Sequence, residues 1–195
     1  MFDFGEGPVP AHQHPDGGGW VAETAVVSET AYIGPDARVS GNARVYGDAW
    51  VSGNARVYGD ARVSGNARVY GDAWVFEGAW VYGNARVSGD ARVSGDAWVS
   101  GNARVYGGAR VSGNARVSGD AWVFEGAWVS KTPVIITGFK YSVAITDFHI
   151  QIGCQVGTKD EWNTTLKSRF LEEGTEEQLQ VLLAIADLHI TSKET

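Results

Sequence analysis

Four histidines, one cysteine and a regular series of arginines and tryptophans are the residues of this 195-residue chain whose types suit chemistry. His12-Gln13-His14, followed by Pro15-Asp16-Gly17-Gly18-Gly19, would set two imidazoles and a carboxylate around one point, the beginnings of a metal site. Two His ligands without a firm third make an incomplete set. The same stretch reads better as a turn-rich cap that covers the first coil. His149 and Cys154 stand in Asp147-Phe148-His149-Ile150-Gln151-Ile152-Gly153-Cys154, where alternation suggests a strand and a structural role for both. The arginines and tryptophans could together hold phosphates or stacked rings. Arg92, Arg110, Trp80 and Trp98, with His12, His14 and His149, are therefore the candidate ligand-binding residues.

What positions the arginines and tryptophans is a repeat. From residue 21 to 129 an aliphatic side chain recurs at every sixth position, at Val21, Val27, Ile33, Val39 and so on to Val129, giving 19 such positions. Four places after each stands an alanine, from Ala25 to Ala127. The hexad reads V-[S/Y/F]-[G/E]-[N/D/G]-A-[R/W]. Internal periodicity of this kind decides the fold before any other signal.

Successive side chains of a strand point to opposite faces. In Ala-Arg-Val, the alanine and valine face one way and the arginine the other, so small and branched residues line an interior while Arg or Trp faces out. The rest of each hexad, such as Ser40-Gly41-Asn42, supplies the types that tolerate positive φ at a sharp corner. Three strand-and-corner sides, one hexad each, close a triangular coil. Each residue then stacks on its counterpart one coil later at the strand spacing of about 4.8 Å.

This pattern resembles the hexapeptide-repeat, left-handed parallel β-helix family. Ile33-Gly34-Pro35-Asp36-Ala37-Arg38 fits that family's motif closely, and later hexads move the glycine one place along while keeping the inward pair. The resemblance implies a left-handed parallel β-helix; the periodicity alone does not fix its hand. It also implies a homo-oligomer, with a trimer favoured. The family includes acyltransferases and γ-class carbonic anhydrases, so both activities are tested against the residues. The acyltransferases generally carry a catalytic histidine and often a loop projecting from the coils. Here no histidine stands between His14 and His149, and no insertion breaks the register. The anhydrases need three histidine ligands to zinc from the coils, and these coils have none. Their serines have no nearby base to activate them as nucleophiles. The sequence thus points to a protein that is not an enzyme, with an acyl-CoA-dependent acyltransferase as the alternative.

Sorting the outward residues by coil gives three columns. The first holds Trp20, Arg38, Arg56, Trp74, Arg92, Arg110 and Trp128. The second holds Arg44, Arg62, Trp80, Trp98 and Arg116, and the third Tyr32, Trp50, Arg68, Arg86, Arg104 and Trp122. Trp50, Trp74 and Trp80 recur as Trp98, Trp122 and Trp128, and the stretch 45–82 matches 93–130 at all but four positions. This marks a tandem duplication offset by eight hexads. Because eight hexads are two coils plus two further sides, the copy lands on different sides of the prism. Such an offset scrambles any ligand-binding stripe and favours ladders that stabilise the coils by cation–π stacking, worth about 0.5–1 kcal/mol per exposed contact.

After Ser130 the register fails, with Pro133 where alanine belongs and Tyr141 where an aliphatic belongs. Val134-Ile135-Ile136-Thr137 and residues 141–152 read as strands. Two helices follow, each opened by a capping box: Thr158-Lys159-Asp160-Glu161 before Trp162, Leu166 and Phe170, and Thr175-Glu176-Glu177-Gln178 before Leu179, Leu182, Leu183 and Ile185. Gly174 separates them.

The expected architecture is mainly β: a left-handed parallel β-helix of 18-residue triangular coils with a small α+β C-terminal cap. Residues 1–20 form an N-terminal cap, 21–130 the β-helix, and 131–195 the strand-helix module. The whole arrangement resembles hexapeptide-repeat proteins common in phages and prophages. A net charge of −7 argues against a nucleic-acid footprint built on basic excess. The lone Cys154 fits a reducing compartment. With no signal segment in residues 1–10 and no apolar run long enough for a membrane helix, a soluble cytoplasmic protein is expected, in the host cell's cytoplasm if phage-encoded. The expected function is a non-catalytic binding or scaffold protein, without cofactor or metal, sequestering a host protein or a small anionic ligand at inter-subunit grooves. A structural virion component is a further alternative.

Overall fold

The computed structural model describes residues 1–124, 127–136, 141, 143–153, 155–172 and 174–190. The repeat winds as a parallel β-solenoid of about six turns. Its strands form three parallel stacks in which each strand pairs with the one three hexads on, as Arg56 with Trp74 and Val57 with Val75. Each side of a coil contributes two ladder bonds to the next. The Arg56 N–H donates to the Ala73 carbonyl at 2.9 Å, and the Tyr58 N–H to the Val75 carbonyl at 3.0 Å. Alternation decides which side chains go inward. From Ala31 to Val129 the alanines and valines form one continuous core, almost all without solvent contact, while the Arg or Trp between them faces out. Each fully buried valine contributes about 1.5 kcal/mol or more, so the core grows in proportion to coil number.

The corners stack as tightly as the walls. Gly41 has φ +66°, and a Cβ there would lie 2.8 Å from the backbone nitrogen of Gly59 in the next coil. Beside the glycines run side-chain ladders. Asn66 donates to Asn84, Asn84 to Asn102, and Asn102 to Asp120 at 3.5, 3.2 and 3.0 Å.

The first residues form paired strands. Phe2–Asp3 and Pro8–Val9 pair as an antiparallel hairpin, and Ala11–Gln13 adds antiparallel to Trp20–Ala22 at the head of the first stack. That strand covers the backbone edge which an open solenoid end leaves unpaired.

Beyond Ser130 a four-stranded antiparallel sheet is built from Val134–Ile136, Val143–Ile145, Ile150–Ile152 and Gln155–Gly157. The expected strand over 141–152 is in fact two strands, because Thr146 turns the chain by bonding the His149 carbonyl at 2.9 Å. His149 therefore precedes its strand, and Thr137 and Cys154 lie outside the described residues. One sheet face packs Val143, Ile145, Ile150 and Ile152 against Trp162, Phe170 and Leu179. On the other face Ile135 packs against the solenoid core, and Phe148 lies 6.2 Å from Trp128. The buried Asp147 carboxylate accepts the N–H groups of Ser130 at 2.5 Å and Lys131 at 3.3 Å, tying the sheet to the last coil.

Among the described residues three helices stand where two are expected: α1 (Lys159–Asn163), α2 (Lys167–Leu171) and α3 (Glu176–His189). The first expected helix breaks at Thr164, whose hydroxyl bonds the Asp160 carbonyl at 2.6 Å. Asn163-Thr164-Thr165 is a run of poor helix formers that compete for backbone bonds. Both capping boxes form as the sequence indicates. None of these helices is long and apolar enough to cross a membrane.

Candidate functional site

In-register stacking turns the outward residues into three columns, each with its own electrostatics. On the first face Trp74 is sandwiched by Arg56 and Arg92, whose guanidinium carbons lie 5.1 and 4.9 Å from its ring. Arg110 lies 5.9 Å over Trp128. On the second face Trp80 and Trp98 stack at 5.1 Å and 5°. Arg62 covers one end of that pair at 4.5 Å and Arg116 the other at 4.7 Å. On the third face Tyr32 stacks on Trp50 at 3.8 Å, three arginines follow, and Arg104 lies 4.8 Å over Trp122. Among the described residues, no arginine of the coils makes an ion pair with a carboxylate.

The seven candidate residues do not converge. Arg92 and Arg110 are neighbours on the first face, whereas Trp80 and Trp98 occupy each other's rings on the second. The exposed His12 lies 3.0 Å from Glu23. His14 is buried at 4% exposure, its ring nitrogens 3.1 and 3.2 Å from the Asp16 and Ser28 carbonyl oxygens. Its ring thus fastens the N-terminal segment to the first coil. No group of three His, Cys, Asp or Glu side chains with metal-binding geometry occurs among the described residues. His149 belongs to the C-terminal module, where burial pushes its imidazole below the usual value and Glu161 pulls it partly back. Its Nδ1 is buried without a hydrogen-bond partner.

Sequence reasoning missed a groove at the other end. The N-terminal hairpin lies across the first face because Phe2 stacks on Trp20 at 4.4 Å and Arg38 sits 5.4 Å over the Phe2 ring. Its tip is shaped by Asp3, whose carboxylate accepts the N–H groups of Gly5 at 2.7 Å and Gly7 at 3.0 Å. Beneath the tip lies a groove of about 650 Å³, within the size range of small-molecule sites. Arg38, Arg56, Tyr58 and Trp74 line one side of it, and Phe4 and Glu6 of the hairpin the other. Arg38 and Arg56 are in-register neighbours on adjacent strands. Burial pushes the Tyr58 phenol up, with the nearby Glu77 charge adding to the effect, so it remains a neutral hydroxyl donor. The groove can hold a ring against aromatic walls while guanidinium groups meet an anionic end. The available sequence signal was the alternation Phe2-Asp3-Phe4 followed by Gly5 and Gly7.

The coils match the model of one repeat family, the YdcK Beta solenoid repeat, at residues 37–53, 49–62, 61–77, 79–95, 85–100, 97–113 and 109–125. No curated protein matches the chain. Among solved structures it is similar to the acetyltransferase domain of PglB from Neisseria gonorrhoeae FA1090, with a TM-score of 0.51 and 22% identity. That likeness covers 56% of this chain and 52% of the other, about half its length, and concerns the fold. The repeat matches and the shared architecture agree on one point: the coils are a parallel β-solenoid of repeats.

Proposed function

We propose that the protein is a non-catalytic β-solenoid scaffold that binds a small organic anion beneath its N-terminal hairpin. The observation that carries this reading is the pair Arg38 and Arg56, side by side on the groove wall with no carboxylate ion pair among the described residues. Two neighbouring guanidinium groups at an aromatic cleft favour a planar carboxylate or phosphate ester. Glu6 of the hairpin and Glu23 of the first coil also line the groove and disfavour a ligand that is anionic throughout. The coils supply no histidine or cysteine for acid–base or nucleophilic work, which supports binding without turnover. In the same reading the chain is a phage or prophage protein of the host cytoplasm that assembles with copies of itself, as a trimer by family resemblance, and sequesters a host factor or its anionic ligand.

The test is thermal melting and calorimetry of the full chain with adenosine monophosphate and benzoate as probes. A ligand at a hundred times its Kd stabilises the protein by about 2.7 kcal/mol. The expected result is stabilisation by at least one probe that Arg38→Gln/Arg56→Gln abolishes. No shift with either probe, or a shift that survives the double substitution, overturns the reading.

A second reading, an acyl-CoA-dependent acyltransferase, is favoured by the architecture shared with an acetyltransferase domain. Calorimetric binding of acetyl-CoA with release of free thiol in the presence of an amine acceptor would support it. Absence of both removes it.

A further inference from the structure

The third face carries a feature that neither the groove nor the ladders explain. Arg68, Arg86 and Arg104 stand on three successive strands in direct register, Arg68 opposite Arg86 and Arg86 opposite Arg104. No other face has three arginines in succession. Like charges directly opposed across strands are destabilising. On the first face that cost is offset by rings, since Arg38, Arg56, Arg92 and Arg110 each cover an aromatic. On the third face only Arg104 covers one. Arg68 and Arg86 have neither a ring nor a carboxylate partner among the described residues.

The flanking corner follows the same pattern. Two places before Arg68, Arg86 and Arg104 stand Asn66, Asn84 and Asn102, neutral and linked amide to amide. Where the column changes to Trp50 and Trp122, the same corner position becomes acidic, as Asp48 and Asp120. Each asparagine uses one amide hydrogen in the ladder and keeps a second to donate. On the far edge Asp72 and Asp90 follow Arg68 and Arg86 by four places without reaching either guanidinium. Asp72 instead accepts the Asn54 amide at 2.9 Å. The result is a track of three unneutralised guanidinium groups about 10 Å long, set by the strand spacing, edged by amide donors and ended by Trp50 and Trp122.

We infer that this track binds a linear oligophosphate laid along the solenoid axis. Guanidinium groups take phosphate oxygens in pairs, and the non-bridging oxygens spread along an extended triphosphate reach more of the guanidinium groups stacked at the strand spacing of about 4.8 Å than those of one phosphate can. A single orthophosphate bridges two of the three groups at most. The column itself holds no ring between the tryptophans, Tyr70 and Tyr106 flanking it at the following corner, and the overall charge of −7 opposes a long nucleic acid.

The experiment is calorimetry of the full-length protein with tripolyphosphate, orthophosphate and a short oligothymidylate. Tripolyphosphate should bind about tenfold or more tightly than orthophosphate and weaken about tenfold in Arg86→Gln, the loss of one charge-assisted pair. Arg44→Gln on the second face should leave it unchanged. Without phosphate, Arg86→Gln should raise the melting temperature, because it relieves the repulsion. Equal affinity for the two phosphates, indifference to Arg86→Gln, or tighter binding of the oligothymidylate overturns the inference. The Arg38→Gln/Arg56→Gln protein separates this site from the groove. It should keep tripolyphosphate binding whatever becomes of the groove ligand, and loss of that binding overturns the track.

Discussion

The Gly95 backbone N–H donates to the Glu77 carboxylate of the preceding coil at 2.5 Å, while Glu77 holds a φ of 57° at a corner where the hexads on either side place glycine. Glu77 is the only non-glycine residue with positive φ among those described. Its side chain supplies the bond that offsets its backbone strain, about 1–2 kcal/mol for an L residue in this region. Glu77→Ala keeps the strain and loses the bond, whereas Glu77→Gly loses both. Glu77→Gly should therefore be more stable than Glu77→Ala by about 1 kcal/mol, a melting difference of roughly 2–4 °C for a chain of this size. Equal melting temperatures for the two variants would contradict this account.

The Arg62, Trp80, Trp98, Arg116 column should behave as a coupled stack. A double-mutant cycle on Arg116 and Trp98, whose groups lie 4.7 Å apart, should return a coupling of about 0.5–1 kcal/mol. The same cycle on Arg44 and Trp98, three coils apart on one face, should return none. A coupling indistinguishable between the two pairs would mean that the columns are decoration and not ladders.

Asp147 is the joint between the coils and the C-terminal sheet. Asp147→Asn retains one acceptor oxygen and should cost about 1 kcal/mol, while Asp147→Ala strands two N–H groups and should cost about 2–3 kcal/mol. Hydrogen exchange locates the effect: amides of residues 143–157 should lose protection, and those of the central coils should not. Uniform loss across both modules would show that the joint is not local.

Acid should weaken the C-terminal module through His149. Burial holds the folded imidazole below its ordinary value of 6.5, so as pH falls the unfolded chain takes up its proton first. Stability is complete above 6.5 and declines as pH falls from there toward the lower folded value. His149→Gln should flatten that decline. Hydrogen exchange at the amides of Glu176–His189 reads the module directly, and an unchanged pH profile in the variant would assign the decline to other groups.

The inside of the solenoid was legible because it obeys one rule. Alternation in Ala-Arg-Val places alanine and valine inward, and the coil register follows from closing three equal sides. The outside was legible only as columns. Which guanidinium meets which ring depends on side-chain reach along the coil axis, as where Arg56 and Arg92 both settle on Trp74. The groove was hidden because Phe2 and Trp20 lie outside the repeat, and their stacking is a tertiary contact that no periodicity records. The split between α1 and α2 was also hidden. Trp162, Leu166 and Phe170 keep helical spacing and all join one core, but the Thr164 hydroxyl takes the Asp160 carbonyl and interrupts the backbone between them.

The closing unit of the solenoid is the hexad and not the coil, and this separates two kinds of inheritance. Inserting or deleting one hexad leaves every buried alanine and valine over an equivalent partner, yet it turns all later outward residues by one side. The offset of the tandem duplication is eight such steps, a number not divisible by three. The core thus tolerated a copying event that re-dealt the surface. That rotation made the third face a composite, with Trp50 and Arg68 from the first copy and Arg104 and Trp122 from the second, whose counterparts Arg56 and Trp74 stand on the first face. In such a chain, surface chemistry can be reshuffled in whole-side increments at almost no cost to folding.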